Sequence, residues 1–320
     1  MSDVSVIGAG AWGIALAIQA ARAGANVLLW ARDPLRAAAL AAGADSPRLP
    51  GVRLTPQVAV TNDLNRIGGI VLLAVPMQHQ RAVLARLPPC TAPLVICAKG
   101  FETGSHRLPL EVAQSVHPRT EAAVLTGPNF AHEIAAGLPA AAVVAATQAA
   151  LRERIIATLS TPTFRLYGND DPIGAQVGGA AKNVIAIAAG AVIGAGLGEN
   201  ARAALITRGL AELARLAVVL GGRRETVMGL SGLGDLLLTC TGAASRNYSL
   251  GVALGRGEKL AEILAARSAV TEGVATAPAL VARAAGVDLP ICTSVAALLE
   301  GRTTLQQAIA DLLARPLRDE

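Results

Sequence analysis

Lysine is scarce in this chain of 320 residues, occurring at Lys99, Lys182 and Lys259 while arginine is spread throughout. The difference is chemical. A guanidinium keeps its proton near neutral pH, whereas an ammonium gives one up when partly buried or set beside another cation. A lysine retained among arginines can therefore mark a place where a proton is exchanged. Lys259, in the run Gly-Glu-Lys-Leu, reads as surface. Lys182 stands with Asn183 inside the apolar stretch 173–197, where a cation is costly unless it reaches a partner or a cleft. Lys99 follows the apolar run Pro93–Cys97 directly. If Lys99 and Lys182 meet at one site, their repulsion lowers at least one pKa and makes a base available.

Three further stretches are polar within an otherwise apolar chain. Gly127-Pro128-Asn129-Phe130-Ala131 follows a strand-like run and opens a helix, so its backbone N–H groups could hold a phosphate or a cofactor. Gly232-Leu233-Gly234-Asp235 reads as a loop carrying one carboxylate. Ser245-Arg246-Asn247 groups a hydroxyl, a guanidinium and an amide where a helix begins, which suits phosphate, although Ser245 is also a natural N-cap.

At the N-terminus, Gly8-Ala9-Gly10-Ala11-Trp12-Gly13 matches G-x-G-x-x-G, with a strand before it and a helix after it. Gly8 permits the tight turn, Gly10 lets the backbone approach a pyrophosphate, and Gly13 allows close helix–strand packing. Such a turn points to NAD or NADP. After the second strand the chain reads Trp30-Ala31-Arg32-Asp33. Arg32 suits a 2′-phosphate and favours NADP, and Asp33 suits the N-cap of a helix opening at Pro34. A one-residue shift in register would make Asp33 a ribose acceptor and restore NAD. A nicotinamide enzyme acting on an alcohol/ketone pair also needs a group that exchanges the hydroxyl proton, the role the lysines could fill.

These residues have to be positioned by elements. Strands are expected at 3–7, 26–30, 70–75, 93–97, 122–125 and 141–145, with helices to about Gly24 and over 34–43, 77–87, 106–116, 129–136 and 147–159. From Ile173 onward only helical spacing is found, at 173–197, 202–220, 245–256, 258–266, 274–285, 294–300 and 304–314. The expected fold is α/β: a Rossmann-type doubly wound sheet over 1–172, binding the dinucleotide, followed by an all-helical C-terminal domain over 173–320. Helix 173–197 could pack on its own domain or on a second copy, so a homodimer is possible.

Composition narrows the partners. Hydrophobic residues make up 52% of the chain and mean hydropathy is +0.48, yet the longest uncharged apolar run, Val184 to Gly198, is shorter than a membrane span of roughly 20 residues. No membrane insertion is expected. The formal charge is +5, with basic residues scattered and aromatics only 2%, which leaves no stacking platform for nucleic acid and suits a small anionic substrate. Cys90, Cys97, Cys240 and Cys292 form no C-x-x-C pair, so neither a metal site nor a disulfide framework is expected. Asp3 stands where a secretory leader would be basic; the expected location is cytoplasmic.

Together the motifs resemble the bacterial NAD(P)-dependent glycerol-3-phosphate dehydrogenases over essentially the whole chain. The resemblance rests on GAGAWG at 8–13, AKGFE at 98–102, GPNFAHEIA at 127–135, KN at 182–183, GLGDLLLTCTGAASRNYSLG at 232–251 and TEGVATA at 271–277. It implies interconversion of dihydroxyacetone phosphate and sn-glycerol 3-phosphate for phospholipid synthesis, with Lys182 as proton donor and acceptor and Lys99 and Asp235 beside it. It further implies substrate binding by Gly127, Asn129, Ser245, Arg246 and Asn247. Beyond the glycine turn, the dinucleotide would be lined by Trp12, Arg32, Lys99, Ala131, Arg246, Val270 and Glu272. Asn129 stands where the family usually has Ser or Thr. The alternative is another dehydrogenase of the same two-domain plan acting on a hydroxy acid.

Overall fold

A computed structural model describes residues 2–88, 92–267 and 270–316. The chain divides into two compact units, Met1–Lys99 with Leu108–Gln176, and Gly100–Arg107 with Val177–Glu320. The division falls inside the helix that opens at Pro172, roughly one turn later than the expected 172/173 boundary, and the short stretch after Lys99 groups with the second unit.

In the first unit, strands β1 (Val4–Ile7), β2 (Val27–Trp30), β3 (Val58–Thr61), β4 (Ile70–Leu73), β5 (Leu94–Ile96), β6 (Ala122–Thr126), β7 (Ala140–Ala145) and β8 (Phe164–Asn169) form one sheet in the order β3-β2-β1-β4-β5-β6-β7-β8. All neighbours are parallel except β6 and β7. Helices α1 (Ala11–Arg22), α2 (Pro34–Ala41), α3 (Gln80–Leu84), α4 (Pro109–Val116), α5 (Ala131–Ala136) and α6 (Ala149–Leu159) connect them. Strands β1, β2, β4 and β5 are buried at every residue, the signature of a parallel sheet covered on both faces. The strand order reverses between β1 and β4, so the ligand crevice of a doubly wound sheet lies beyond their carboxyl ends. Gly8, Lys99 and Gly127 all follow carboxyl ends of parallel strands, on that edge of the sheet.

The two strands that the hydropathy pattern does not announce, β3 and β8, are the two edges. Two of the four positions of β3 and five of the six of β8 are exposed or half-exposed, and β8 carries Arg165 with its guanidinium 5.8 Å from the Tyr167 ring centroid. A charged, interrupted edge strand such as β8 resists pairing with other chains, at the cost of the continuous apolar run that identifies an interior strand.

In the second unit, α7 (Pro172–Gly194) continues from Val177 and is followed by α8 (Gly198–Val219), α9 (Arg224–Val227), a π-helical turn (Leu230–Gly234), α10 (Asp235–Thr241), α11 (Arg246–Gly255), α12 (Leu260–Ala265), α13 (Glu272–Arg283), α14 (Pro290–Leu299) and α15 (Leu305–Leu313). Helix α7 is long and apolar enough to cross a membrane, but 83% of its most apolar window is buried by the protein itself. It meets α11 backbone to backbone. A Cβ on Gly190 would lie 2.1 Å from the Tyr248 carbonyl oxygen, and one on Gly251 2.0 Å from that of Ile187; Gly194 and Gly255 repeat the contact one turn on. Glycine costs about 1 kcal/mol inside a helix, and here it purchases a separation no other residue permits. Elsewhere in the unit, Glu212 of α8 is 1% exposed and accepts from the amides of Ile291 (2.6 Å) and Cys292 (3.0 Å), satisfying orphan donors in the first turn of α14.

Candidate active site

The turn after β1 is built around its glycines. Gly8 has φ +115°, and a Cβ there would be 2.7 Å from the Ala74 carbonyl oxygen of the chain leaving β4. A Cβ on Gly13 would be 1.7 Å from the Gly8 carbonyl oxygen, so α1 starts against the turn only because that position is bare. Gly10 differs: a Cβ there meets no protein atom within 4 Å. No protein neighbour requires this glycine, and the amides of Gly10, Ala11 and Trp12 donate to no group among the described residues. An open face backed by helix N-terminal N–H groups fits a pyrophosphate. Trp12 is half-buried beside it.

Beyond β2, Arg32 is exposed and makes no hydrogen bond or ion pair among the described residues. Asp33 caps α2, its Oδ1 accepting from the Arg36 amide at 2.8 Å. Lys99 is half-buried, and its Nζ donates to the Gly127 carbonyl at 3.1 Å, joining the ends of β5 and β6. Asn129 donates through Nδ2 to the Ala141 carbonyl at 3.2 Å, and its buried Oδ1 has no partner among the described residues. Ala131 opens α5 immediately after.

In the second unit Lys182, 7% exposed, donates from Nζ to Asp235 Oδ1 and, at 2.9 Å, to Thr239 Oγ1. Asp235 is fully buried. It is the first residue of α10. The stretch expected to be a loop is instead the π-helical turn leading into α10. That turn is seated by Gly178, one turn before Lys182 on α7, whose added Cβ would lie 2.6 Å from the Ser231 carbonyl oxygen. Thr239, one turn after Asp235, shares its helix face and was not among the residues expected at the site. Burial pushes the neighbouring Cys240 thiol up to about 12, with Lys182 drawing it partly back.

A second polar chain lies next to this one. Asn247 Nδ2 donates to Asn183 Oδ1 at 2.8 Å, and Asn247 Oδ1 accepts from the Gly273 amide at 3.0 Å, tying α7, α11 and α13 together. Ser245 caps α11, its Oγ accepting from the Tyr248 amide at 3.2 Å, while the Arg246 carbonyl accepts from Arg267 at 2.7 Å. Val270 is 48% exposed, and Glu272 begins α13. Cys90 lies outside the described residues; Cys97, Cys240 and Cys292 are buried free thiols, and no group of metal-ligating side chains occurs among the described residues.

Both parts of the chain match known proteins. Residues 3–152 match the N-terminal domain of NAD-dependent glycerol-3-phosphate dehydrogenase, and residues 171–310 match its C-terminal domain. The chain belongs to the NAD-dependent glycerol-3-phosphate dehydrogenase family. Within that family, a glycerol-3-phosphate dehydrogenase, NAD(P)+, of Acidiphilium cryptum is 57% identical over 320 residues, covering 99% of this chain and 98% of the relative. One of Gluconobacter oxydans is 50% identical, covering 98% and 97%. The crystal structure of glycerol-3-phosphate dehydrogenase from Coxiella burnetii has a TM-score of 0.93 at 37% identity, covering 98% of both chains. The family match spans both parts of the chain, so the helical half and the sheet half are similar to the same enzymes.

Proposed function

We propose that this protein interconverts dihydroxyacetone phosphate and sn-glycerol 3-phosphate with NAD(P)H, and that Lys182 carries the proton. When bound, the reduced nicotinamide supplies the hydride for the substrate carbonyl carbon. Lys182 Nζ gives a proton to the carbonyl oxygen, so that ketone, hydride and proton balance to a secondary alcohol; in reverse the neutral amine accepts the hydroxyl proton. The observation that carries the reading is the hold on that amine. Asp235 and Thr239 fix it from one side inside a nearly closed setting, so its position is set before substrate arrives.

Arg246 and Ser245, at the start of α11, supply a cation and a hydroxyl for the substrate phosphate, and Asn247 contributes by holding Asn183 beside the lysine. The bare Gly10 face takes the pyrophosphate, and Lys99 is assigned to substrate binding. Arg32 favours NADP: it is exposed and uncommitted, whereas Asp33 is used as a cap. The enzyme works in the cytoplasm, where its thiols stay reduced, and glycerol 3-phosphate supplies phospholipid synthesis. Oxidation of NADH and NADPH by the purified protein, followed with dihydroxyacetone phosphate and with a panel of unphosphorylated 2-keto acids, tests this. Turnover with the keto acids and none with the triose phosphate would overturn it.

A further inference from the structure

Arg36 is not part of any motif, yet its guanidinium reaches into the dinucleotide turn. Its Nη2 donates to the Ala9 carbonyl at 2.7 Å and to Ser46 Oγ at 3.3 Å, and Ser46 Oγ in turn accepts from the Arg48 amide at 3.2 Å. Its Nε is buried with no partner among the described residues, a cost that a surface side chain avoids. Ala9 lies between the first two glycines of the turn. In a trans peptide the carbonyl and the following N–H point in opposite directions. An arginine that holds the Ala9 carbonyl therefore fixes the Gly10 N–H on the other side of the same plane. That amide has no acceptor among the described residues, and Gly10 is the one glycine of the turn whose bare face meets none of their atoms.

We propose that Arg36 is a positioning residue for the dinucleotide: by holding the Ala9 carbonyl from behind, it aims the Gly10 N–H at the cofactor's pyrophosphate. The proposal rests on the reading of Gly8–Gly13 as the pyrophosphate turn. Because the pyrophosphate is common to NADH and NADPH, Arg36 supports both equally. A direct ligand of the 2′-phosphate would support NADPH alone.

The test is the Kd of NADH and of NADPH, by quenching of protein fluorescence, for wild type, Arg36→Met, Arg36→Lys and Gly10→Val, with kcat and cofactor KM measured alongside. Arg36→Met is expected to weaken both cofactors by about tenfold and by the same factor, with the loss in cofactor KM and not in kcat. Arg36→Lys, which keeps one donor but cannot bridge Ala9 and Ser46, is expected to fall between, at roughly threefold. Unchanged Kd values, or a loss confined to NADPH, would overturn the proposal; if Arg36→Met does not fold, wild-type affinity in Arg36→Lys does the same. Gly10→Val separates the two readings. If it binds both cofactors normally, the turn itself has been misread; if it binds neither while Arg36→Met is unaffected, only the role of Arg36 fails.

Discussion

Lys182 and Asp235 form an ion pair in which neither side chain has more than slight access to water, and Thr239 supplies the second acceptor. Charges removed from water are retained at a cost, and replacing such a pair by apolar residues is often neutral for stability. Asp235→Asn alone should therefore destabilise the protein by about 3–5 kcal/mol, because it removes the carboxylate from a buried ion pair. The double variant Lys182→Met, Asp235→Leu should recover most of that loss while kcat stays depressed by about 10²–10⁴-fold. Denaturant melts and steady-state assays on the same preparations check this. A double variant that turns over substrate normally would remove Lys182 from the mechanism.

Arg32 has no partner to lose among the described residues, so its removal should leave stability unchanged and report on the cofactor alone. Arg32→Ala is expected to raise the KM for NADPH by about 10- to 100-fold, the worth of a charge-assisted bond of roughly 1.5–3 kcal/mol, and to leave NADH nearly unaffected. Equal effects on the two cofactors would rule out 2′-phosphate recognition at this side chain.

Glu212 makes a pH-dependent contribution through its hold on α14. Burial raises its pKa above 4.5, and the amides of Ile291 and Cys292 oppose the rise. A carboxyl whose folded pKa lies above its unfolded value adds stability below the unfolded pKa and loses that contribution as pH rises through the folded one. Glu212→Gln, which sets an NH2 group against one of the two amides, should cost about 1–3 kcal/mol. The gap between wild type and variant should narrow as pH rises from 4.5 towards neutrality. Thermal melts across that range check the sign; a widening gap would contradict it.

The thiols should be silent. Burial pushes Cys97 and Cys240 up to about 12 and Cys292 well above its ordinary range. Alkylation of the native protein at pH 8, read by peptide mass spectrometry, should leave all three unmodified until denaturant is added. Fast labelling of Cys240 in the native state would mean that the Lys182 cluster is open to solvent.

What was legible in the sequence follows from how local each signal is. The Gly8–Gly13 turn, the interior strands and the two Asx or Ser caps, Asp33 and Ser245, depend on residues within a few positions of one another. Edge strand β8 escaped because polar residues dilute its apolar pattern, and β3 because its apolar run, Val58–Val60, is short. Thr239 escaped because a threonine inside Leu-Leu-Leu-Thr-Cys reads as core; its spacing from Asp235 was the available clue, hidden while Gly232–Asp235 passed for a loop. The Asn183–Asn247–Gly273 chain could not be read at all, since it depends on where α7 crosses α11.

That crossing has a further consequence. With carbonyl oxygens of each helix lodged where the other lacks side chains, α7 and α11 mesh like two racks whose teeth admit a single setting. One methyl group at Gly190 or Gly251 would pry the rods apart and carry Asn247 off Asn183. The neighbourhood of the Lys182 amine is thus vulnerable to the smallest possible mutation at glycines of helices α7 and α11.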